Sequence, residues 1–326
     1  MLVPILRWSY LCAGIGILIF ILTGVDLNSV LDQLLRFGWQ GFSLVLIIYL
    51  MAFGVDAASW LLTIETAPFS FRWIWQAFAV RMAGEAYNTL IPAGGIGGEP
   101  TKAEILKRRY GINLKEGGAS LLIAKTVNMI ALVAFLIFGF AMIQSIEVLP
   151  RSIKIMAGAG LALLISGTAA LFLLQRFKLA GRLARRFARG TSRDWLLRSL
   201  NNLDDVEQIF AAFYQYRVCR FILALSLAFV NWLLGIVEIY VVMHFLGHPV
   251  DWTVAWIIEA ATQMMRTAAF FIPAAIGVQE GTFLFICSLL TGNPTLGISA
   301  ALIRRAREIL WTSAGLIFAA TLSSNR

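Results

Sequence analysis

A polar, glycine-rich break, Asn88-Thr-Leu-Ile-Pro-Ala-Gly-Gly-Ile-Gly-Gly-Glu99, separates a strongly apolar stretch from a short basic one, and it is written twice. Displacing the sequence without a gap, so that residue 91 falls on residue 272, lays Ile91-Pro92-Ala93 on Ile272-Pro273-Ala274 and Glu99 on Glu280. The same displacement pairs Arg36 with Arg217, Gly54 with Gly235, Pro68 with Pro249, Trp75 with Trp256, Gly111 with Gly292 and Ala119 with Ala300. Self-similarity of this kind is read before any fold class is chosen. It predicts two repeats, about 25–145 and about 206–326, within a single membrane domain spanning 1–326. A connecting span and a basic loop, about 146–205, would join them.

What surrounds the breaks is apolar. Of 326 residues 59% are hydrophobic and only 14% charged, too little polar surface to cover a soluble globule of this length. The net charge of +9 does not point to nucleic acid, because the basic residues collect in two short loops between apolar stretches. That is the pattern of cytoplasmic loops facing anionic headgroups. Cys12, Cys219 and Cys287 share no metal-type or disulfide spacing. The run from Leu11 to Leu22 lacks a following small-x-small cleavage site, so a retained span is expected there.

A helix needs about 20 apolar residues to cross the hydrocarbon core. Spans are predicted at about 8–24, 41–64, 114–144, 152–175, 218–247 and 295–320. Trp73 to Ile91 is long enough to enter the bilayer, but Pro92 and the glycines break it, and Pro100 to Tyr110 is too charged to cross lipid. Together they predict a re-entrant hairpin, admissible at membrane depth where protein surrounds it or it lines a cavity. Val254 to Ile272 followed by Gly281 to Leu290 predicts a second. Asp26 to Trp39 and Asp204 to Arg217 are expected as interfacial helices.

Segment 100–116 carries five Lys or Arg and segment 176–198 carries eight, which places both in the cytoplasm. With two non-crossing hairpins, span 41–64 then runs inward and its mate 218–247 outward. The fold expected is an all-α polytopic bundle with an inverted repeat and two broken-helix hairpins meeting near the midplane, the plan of secondary transporters. Both termini are expected in the cytoplasm.

Ionisable groups within spans cost roughly 2.5–3.5 kcal/mol each on insertion scales and face the protein interior. Lys125 and Arg304 each fall about 15 Å into their spans at 1.5 Å per residue. Arg305, Arg307 and Glu308 follow Arg304, and Glu308 can pair with Arg304 at i,i+4 or Arg305 at i,i+3. At least one arginine is left without a partner on its own helix. The first hairpin adds Arg81 and Glu85 at i,i+4; the second adds Glu259, Gln263 and Arg266 on one face. Two readings stand side by side: internal pairs that hold the bundle together, or a buried cationic cavity in which arginine forks take a lipid phosphate. Backbone N–H groups at Gly94, Gly95, Gly97 and Gly98, before a helix opening at Pro100, would suit an anion or form only a tight turn. Glu99 and Glu280, at equivalent positions, could carry a proton, cap, or neutralise arginines.

His244 and His248 have the i,i+4 spacing of a metal pair but no third ligand, so they are expected as interfacial residues. Trp8, Trp39, Trp60, Trp73 and Trp252 are expected as interface anchors. No nucleophile elbow, H-E-x-x-H or acidic metal cluster is present, and neither catalysis nor a cofactor is expected.

The run Asn88-x3-Pro92-x-Gly-Gly-x-Gly-Gly-Glu99, the basic segment ending in Arg108-Arg109-Tyr-Gly111-Ile, and Pro273-x3-Gly277-x2-Glu280-Gly281 resemble the flippase-like membrane domain of lysylphosphatidylglycerol synthases. The chain is similar to the stand-alone relatives of that domain, one branch of which is associated with hopanoid biosynthesis. The resemblance implies a bacterial inner-membrane protein that moves a lipid, with an anionic headgroup, between leaflets, and lipid-biosynthesis enzymes as partners. Its motif positions here would be Asn88, Pro92, Gly97, Gly98, Glu99, Pro273, Gly277 and Glu280, with basic positions near Lys125 and Arg304 to Arg305. Two departures stand out: Lys125 occupies a position where an arginine is expected, and the second break, Ala274-Ala275-Ile276, is poor in glycine. The soluble aminoacyl-transferring domain of the full synthases is not in this sequence, so aminoacylation is not expected.

Overall fold

The computed structural model describes residues 14–21, 23–90, 97–147, 149–187 and 194–324, and among these every regular element is helical. After helical residues 14–21 come α1 (Leu27–Leu61), α2 (Phe71–Leu90), α3 (Glu99–Tyr110), α4 (Leu114–Gln144) and α5 (Arg151–Arg176). There follow α6 (Leu179–Phe187), α7 (Asp194–Tyr216), α8 (Val218–Phe245), α9 (Trp252–Ala268), a 3-10 turn Pro273–Ala275, α10 (Val278–Thr291) and α11 (Pro294–Ser324).

Side-chain caps set many of the helix starts. Asp26 opens α1 by accepting from Asn28 N and Ser29 Oγ, and the bond from Ser29 holds its carboxyl below the usual carboxylate range. Asn113 caps α4 and Asp251 caps α9 in the same way. Gly111 and Gly292, each with φ near 70°, end α3 and α10 in the left-handed conformation that favours glycine. The two stand at equivalent positions of the sequence duplication. Element bounds follow its offset to within one residue: α2 and α9 start at 71 and 252, α3 and α10 end at 110 and 291, and α4 and α11 start at 114 and 294.

Packing follows the same correspondence. α1 lies along α8, with Ser59 Oγ donating to Ala224 O at 2.8 Å across the seam. α11 packs on α2 as α4 packs on α9; α10 packs on α11 as α3 packs on α4. α4 meets α8 as α11 meets α1. Each contact is returned when the two segments are exchanged.

Among the described residues four helices, α1, α4, α5 and α8, are long and apolar enough to cross a bilayer. α11 has the length at 31 residues, but Arg304, Arg305, Arg307 and Glu308 interrupt its apolar character midway. Its charges turn into protein: Arg304 and Arg307 are 3% and 4% exposed. α5 has the smallest buried share of the four apolar helices. Of the span expected over about 8–24, residues 14–21 are helical, and residues 8–13 and 22 lie outside the described residues.

α1 joins two helices across a kink at Gly38, φ 61°, ψ −178°, so the stretch expected as a helix ahead of the span, Asp26 to Trp39, is set off from the rest of α1 there. Asp204 to Tyr216 is the last part of the longer α7, which Arg217 separates from α8. One expectation needs correction. Trp60 is 1% exposed and donates from Nε1 to Ser120 Oγ at 3.3 Å, so it is a core residue rather than an interface anchor. Trp39 and Trp252 are exposed, as anchors should be, and Trp8 lies outside the described residues.

Candidate headgroup site

A cavity of about 1020 Å³ opens between the two halves. Its wall takes Tyr49 and Asp56 from α1, Glu85 from α2, Asn128 from α4, and Asn231 and Glu238 from α8. α9 contributes Glu259, Gln263 and Arg266, and α11 contributes Arg304, Arg305, Arg307, Glu308, Trp311, Thr312 and Ser313. Charged groups within helices that pack at the centre of an apolar bundle must find partners, and these do.

Arg304 donates from Nη2 to Glu259 Oε2 at 2.6 Å and lies 3.4 Å, through Nε, from Glu238 Oε1. Arg307 pairs with the other oxygen of Glu238 and stacks its guanidinium over Tyr49, 3.9 Å from the ring centre. Glu259 also accepts from Gln263 Nε2 at 2.6 Å. Arg305 donates to Glu280 at 2.6 and 2.9 Å, to Glu308 at 2.8 Å and to Ala274 O at 3.0 Å. Arg266 donates to Glu308 at 2.9 Å and to Gln279 Oε1 at 2.6 Å.

The arginine expected to lack a partner on its own helix is therefore answered from other helices. Arg266, Arg304, Arg305 and Arg307 face Glu238, Glu259, Glu280 and Glu308, four cations against four carboxylates. This corrects the expectation of a cationic cavity. Glu308 pairs at i,i+3 with Arg305, while the i,i+4 partner expected for it, Arg304, reaches α8 and α9 instead. Arg81 pairs with Asp56 on α1, which also accepts from Asn128 Nδ2 at 3.4 Å. Glu85 accepts from Asn88 Nδ2 at 3.2 Å. Lys125 is exposed and is not among the residues lining the cavity.

Within the first break, Pro92, Gly94 and Gly95 lie outside the described residues. Gly97 is in a turn, and Gly98 N donates to Asn88 Oδ1 at 2.6 Å, tying the two sides of the break together. A Cβ on Gly98 would stand 3.0 Å from Gly84 Cα and closer still to its carbonyl, so the backbones meet only because Gly98 has no side chain. Glu99 pairs with Lys102 Nζ at 3.0 Å, one turn along its own helix.

The second break turns without glycine between Pro273 and Ile276. Ala274 and Ala275 take φ of 51° and 47°, a conformation costing L-residues roughly 1–2 kcal/mol each. Arg305, by donating to Ala274 O, helps hold that turn. Gly277 follows with φ 79°, and its N donates to Glu280 Oε2 at 2.8 Å, which caps α10. Glu280 thus serves both the helix start and Arg305.

Asp56 and Glu238 were not singled out in the sequence, although each is an isolated acid in a strongly apolar span, the signal that marks such residues. They stand one residue apart under the duplication, since position 56 corresponds to 237. His244 and His248 are exposed, and no group of three metal-ligating side chains occurs among the described residues.

Residues 7–315 match the family model described as lysylphosphatidylglycerol synthase TM region. No curated protein and no solved structure matches the chain.

Proposed function

We propose that this chain, which belongs to the lysylphosphatidylglycerol synthase transmembrane-region family, moves a lipid between leaflets by admitting its polar headgroup to the cavity between its halves. The observation that carries this reading is the cavity itself: about 1020 Å³, bounded by both halves, and lined with charged and amide side chains in a bundle of apolar helices. A headgroup crossing a bilayer needs such a polar surface at depth.

What the wall lacks is acceptors. Arg304 Nη1, Arg307 Nε, Trp232 Nε1 and Trp311 Nε1, all on lining residues, have no hydrogen-bond acceptor among the described residues. All four are N–H donors, and the oxygens of a phosphate or hydroxylated headgroup would satisfy them. Because the ion pairs balance, selection would rest on these donors and on exchange of pairs rather than on excess positive charge.

The direction of the halves follows from the crossings. α4, α5 and α8 traverse in succession and the basic segments around α3 and α6 share the cytoplasmic side, so α8 runs opposite to α1. On this reading the packing correspondence is an inverted repeat, α2–α3 and α9–α10 are hairpins entering from opposite faces, and the termini are cytoplasmic in a bacterial inner membrane. The protein's role is transport, without chemistry on the lipid, and lipid-synthesising enzymes would supply its substrate.

Leaflet exchange tests this. Purified protein in liposomes should speed the movement of a headgroup-bearing fluorescent phospholipid above the protein-free rate. Asn231→Trp, which adds bulk on the cavity wall, should return the rate to that baseline. Exchange at the protein-free rate with well-folded wild type would remove the transport reading.

A further inference from the structure

Three guanidinium groups converge on Glu308. Arg266 from α9 reaches its Oε1 at 2.9 Å, Arg305 reaches its Oε2 at 2.8 Å, and Arg307 Nη2 lies 3.9 Å from Oε1. Unlike Glu280, which is 1% exposed and fixed to the backbone of Gly277, Glu308 accepts no backbone hydrogen bond among the described residues and borders the cavity. It sits on α11 beside the two buried guanidiniums that still have unpartnered N–H groups, Arg304 Nη1 and Arg307 Nε. A carboxylate held by several arginine forks at the edge of a cavity occupies the geometry that those forks would give to an oxyanion.

We propose that Glu308 is a displaceable counter-ion: its carboxylate occupies an oxyanion subsite formed by Arg266, Arg305 and Arg307, and a phosphate group entering the cavity takes its place. The inference rests on the transport reading for its physiological meaning, though the subsite can be tested without transport. Charge balance gives the direction. With Glu308 ionised, four arginines face four carboxylates, and an arriving phosphate must compete with a covalently tethered anion. Removing that anion leaves one cation in excess and three donors turned toward the cavity. Glu280 supplies the internal comparison, because it carries the same charge and touches the same Arg305, but from behind the cavity wall.

The experiment measures binding of inorganic phosphate, and separately of short-chain dihexanoyl phosphatidylglycerol, to the detergent-purified full chain. Glu308→Gln should bind phosphate at least ~10-fold tighter than wild type, equivalent to about 1.4 kcal/mol. Glu308→Asp, which keeps the charge but shortens its reach, should lie between the two and provides the measurement if the glutamine variant cannot be recovered. Glu280→Gln should not tighten binding. If Glu308→Gln and Glu308→Asp bind no tighter than wild type, the proposal fails. If Glu280→Gln tightens binding as much as Glu308→Gln does, net charge alone is responsible and the subsite is again refuted. Tightening for both probes identifies a phospholipid headgroup as ligand, and tightening for inorganic phosphate alone identifies the free ion; either supports the subsite. Tighter binding by Glu308→Gln together with wild-type leaflet exchange at the protein-free rate would keep the subsite and reject the transport function.

Discussion

Arg304→Gln should cost this protein more stability than any exposed substitution, and Glu259→Gln in the same chain should give much of it back. The two side chains are 3% and 2% exposed and 2.6 Å apart. At an effective dielectric constant near 20, unit charges about 4 Å apart attract by about 4 kcal/mol. Removing one member of a buried pair costs about 3–5 kcal/mol, because the other charge stays buried without its partner. Among the described residues Glu238 would keep Arg307, but Glu259 would retain only Gln263. At this chain length the loss corresponds to a fall in melting temperature of roughly 5 °C or more. The double variant removes both charges and leaves two amides of similar size, so the two effects should fall short of additivity by about 2 kcal/mol or more. Thermal unfolding followed by fluorescence-detected size exclusion, on wild type, both single variants and the double variant, measures this. Additive single effects, or an Arg304→Gln melting temperature equal to wild type, would refute the pairing that the argument rests on.

Cysteines placed one at a time in segments 100–116 and 176–198 should react with a membrane-impermeant maleimide from the same, cytoplasmic side; labelling from opposite sides would refute the inverted arrangement. Gly98→Ala should lower the melting temperature by several degrees, because its methyl would meet the Gly84 backbone, and an unchanged melting temperature would show that the break does not close that way. Trp60→Ala should destabilise by about 3–5 kcal/mol, as loss of a buried aromatic does. Trp39→Ala, at a residue 76% exposed, should change the melting temperature in detergent by a degree or less, and equal effects at the two positions would contradict their assignment.

The helices were legible because their signals are local. Apolar length marks α4, α5 and α8, the caps Asn113 and Asp251 fix two starts, and Gly111 and Gly292 fix two ends. The interior of Trp60 was not legible, since a tryptophan near the end of an apolar run suits a lipid interface and a helix seam equally; only the approach of Ser120 from α4 decides. The same limit applies to the ion pairs. Residues three and four apart can be paired on paper, which gives Arg305 with Glu308, but Arg304 reaches across to Glu238 and Glu259, and that depends on how α8, α9 and α11 are turned toward one another. An estimate of excess charge made one helix at a time therefore overstated the cationic character of the cavity. Asp56 and Glu238 are the avoidable omission: acids alone in apolar spans announce a partner even when sequence does not say which.

The claim that organises this account is that the cavity between the halves communicates with both faces of the membrane. Ser313 lines it and is exposed there, so Ser313→Cys, in a chain whose Cys12, Cys219 and Cys287 are replaced by serine, places a small reporter on its wall. The measurement is the rate of its modification by an impermeant maleimide added to one side or the other of sealed, oriented proteoliposomes. The account predicts modification from either side, slowed on both by Asn231→Trp. Modification from one side alone, at a rate that Asn231→Trp leaves unchanged, would contradict it.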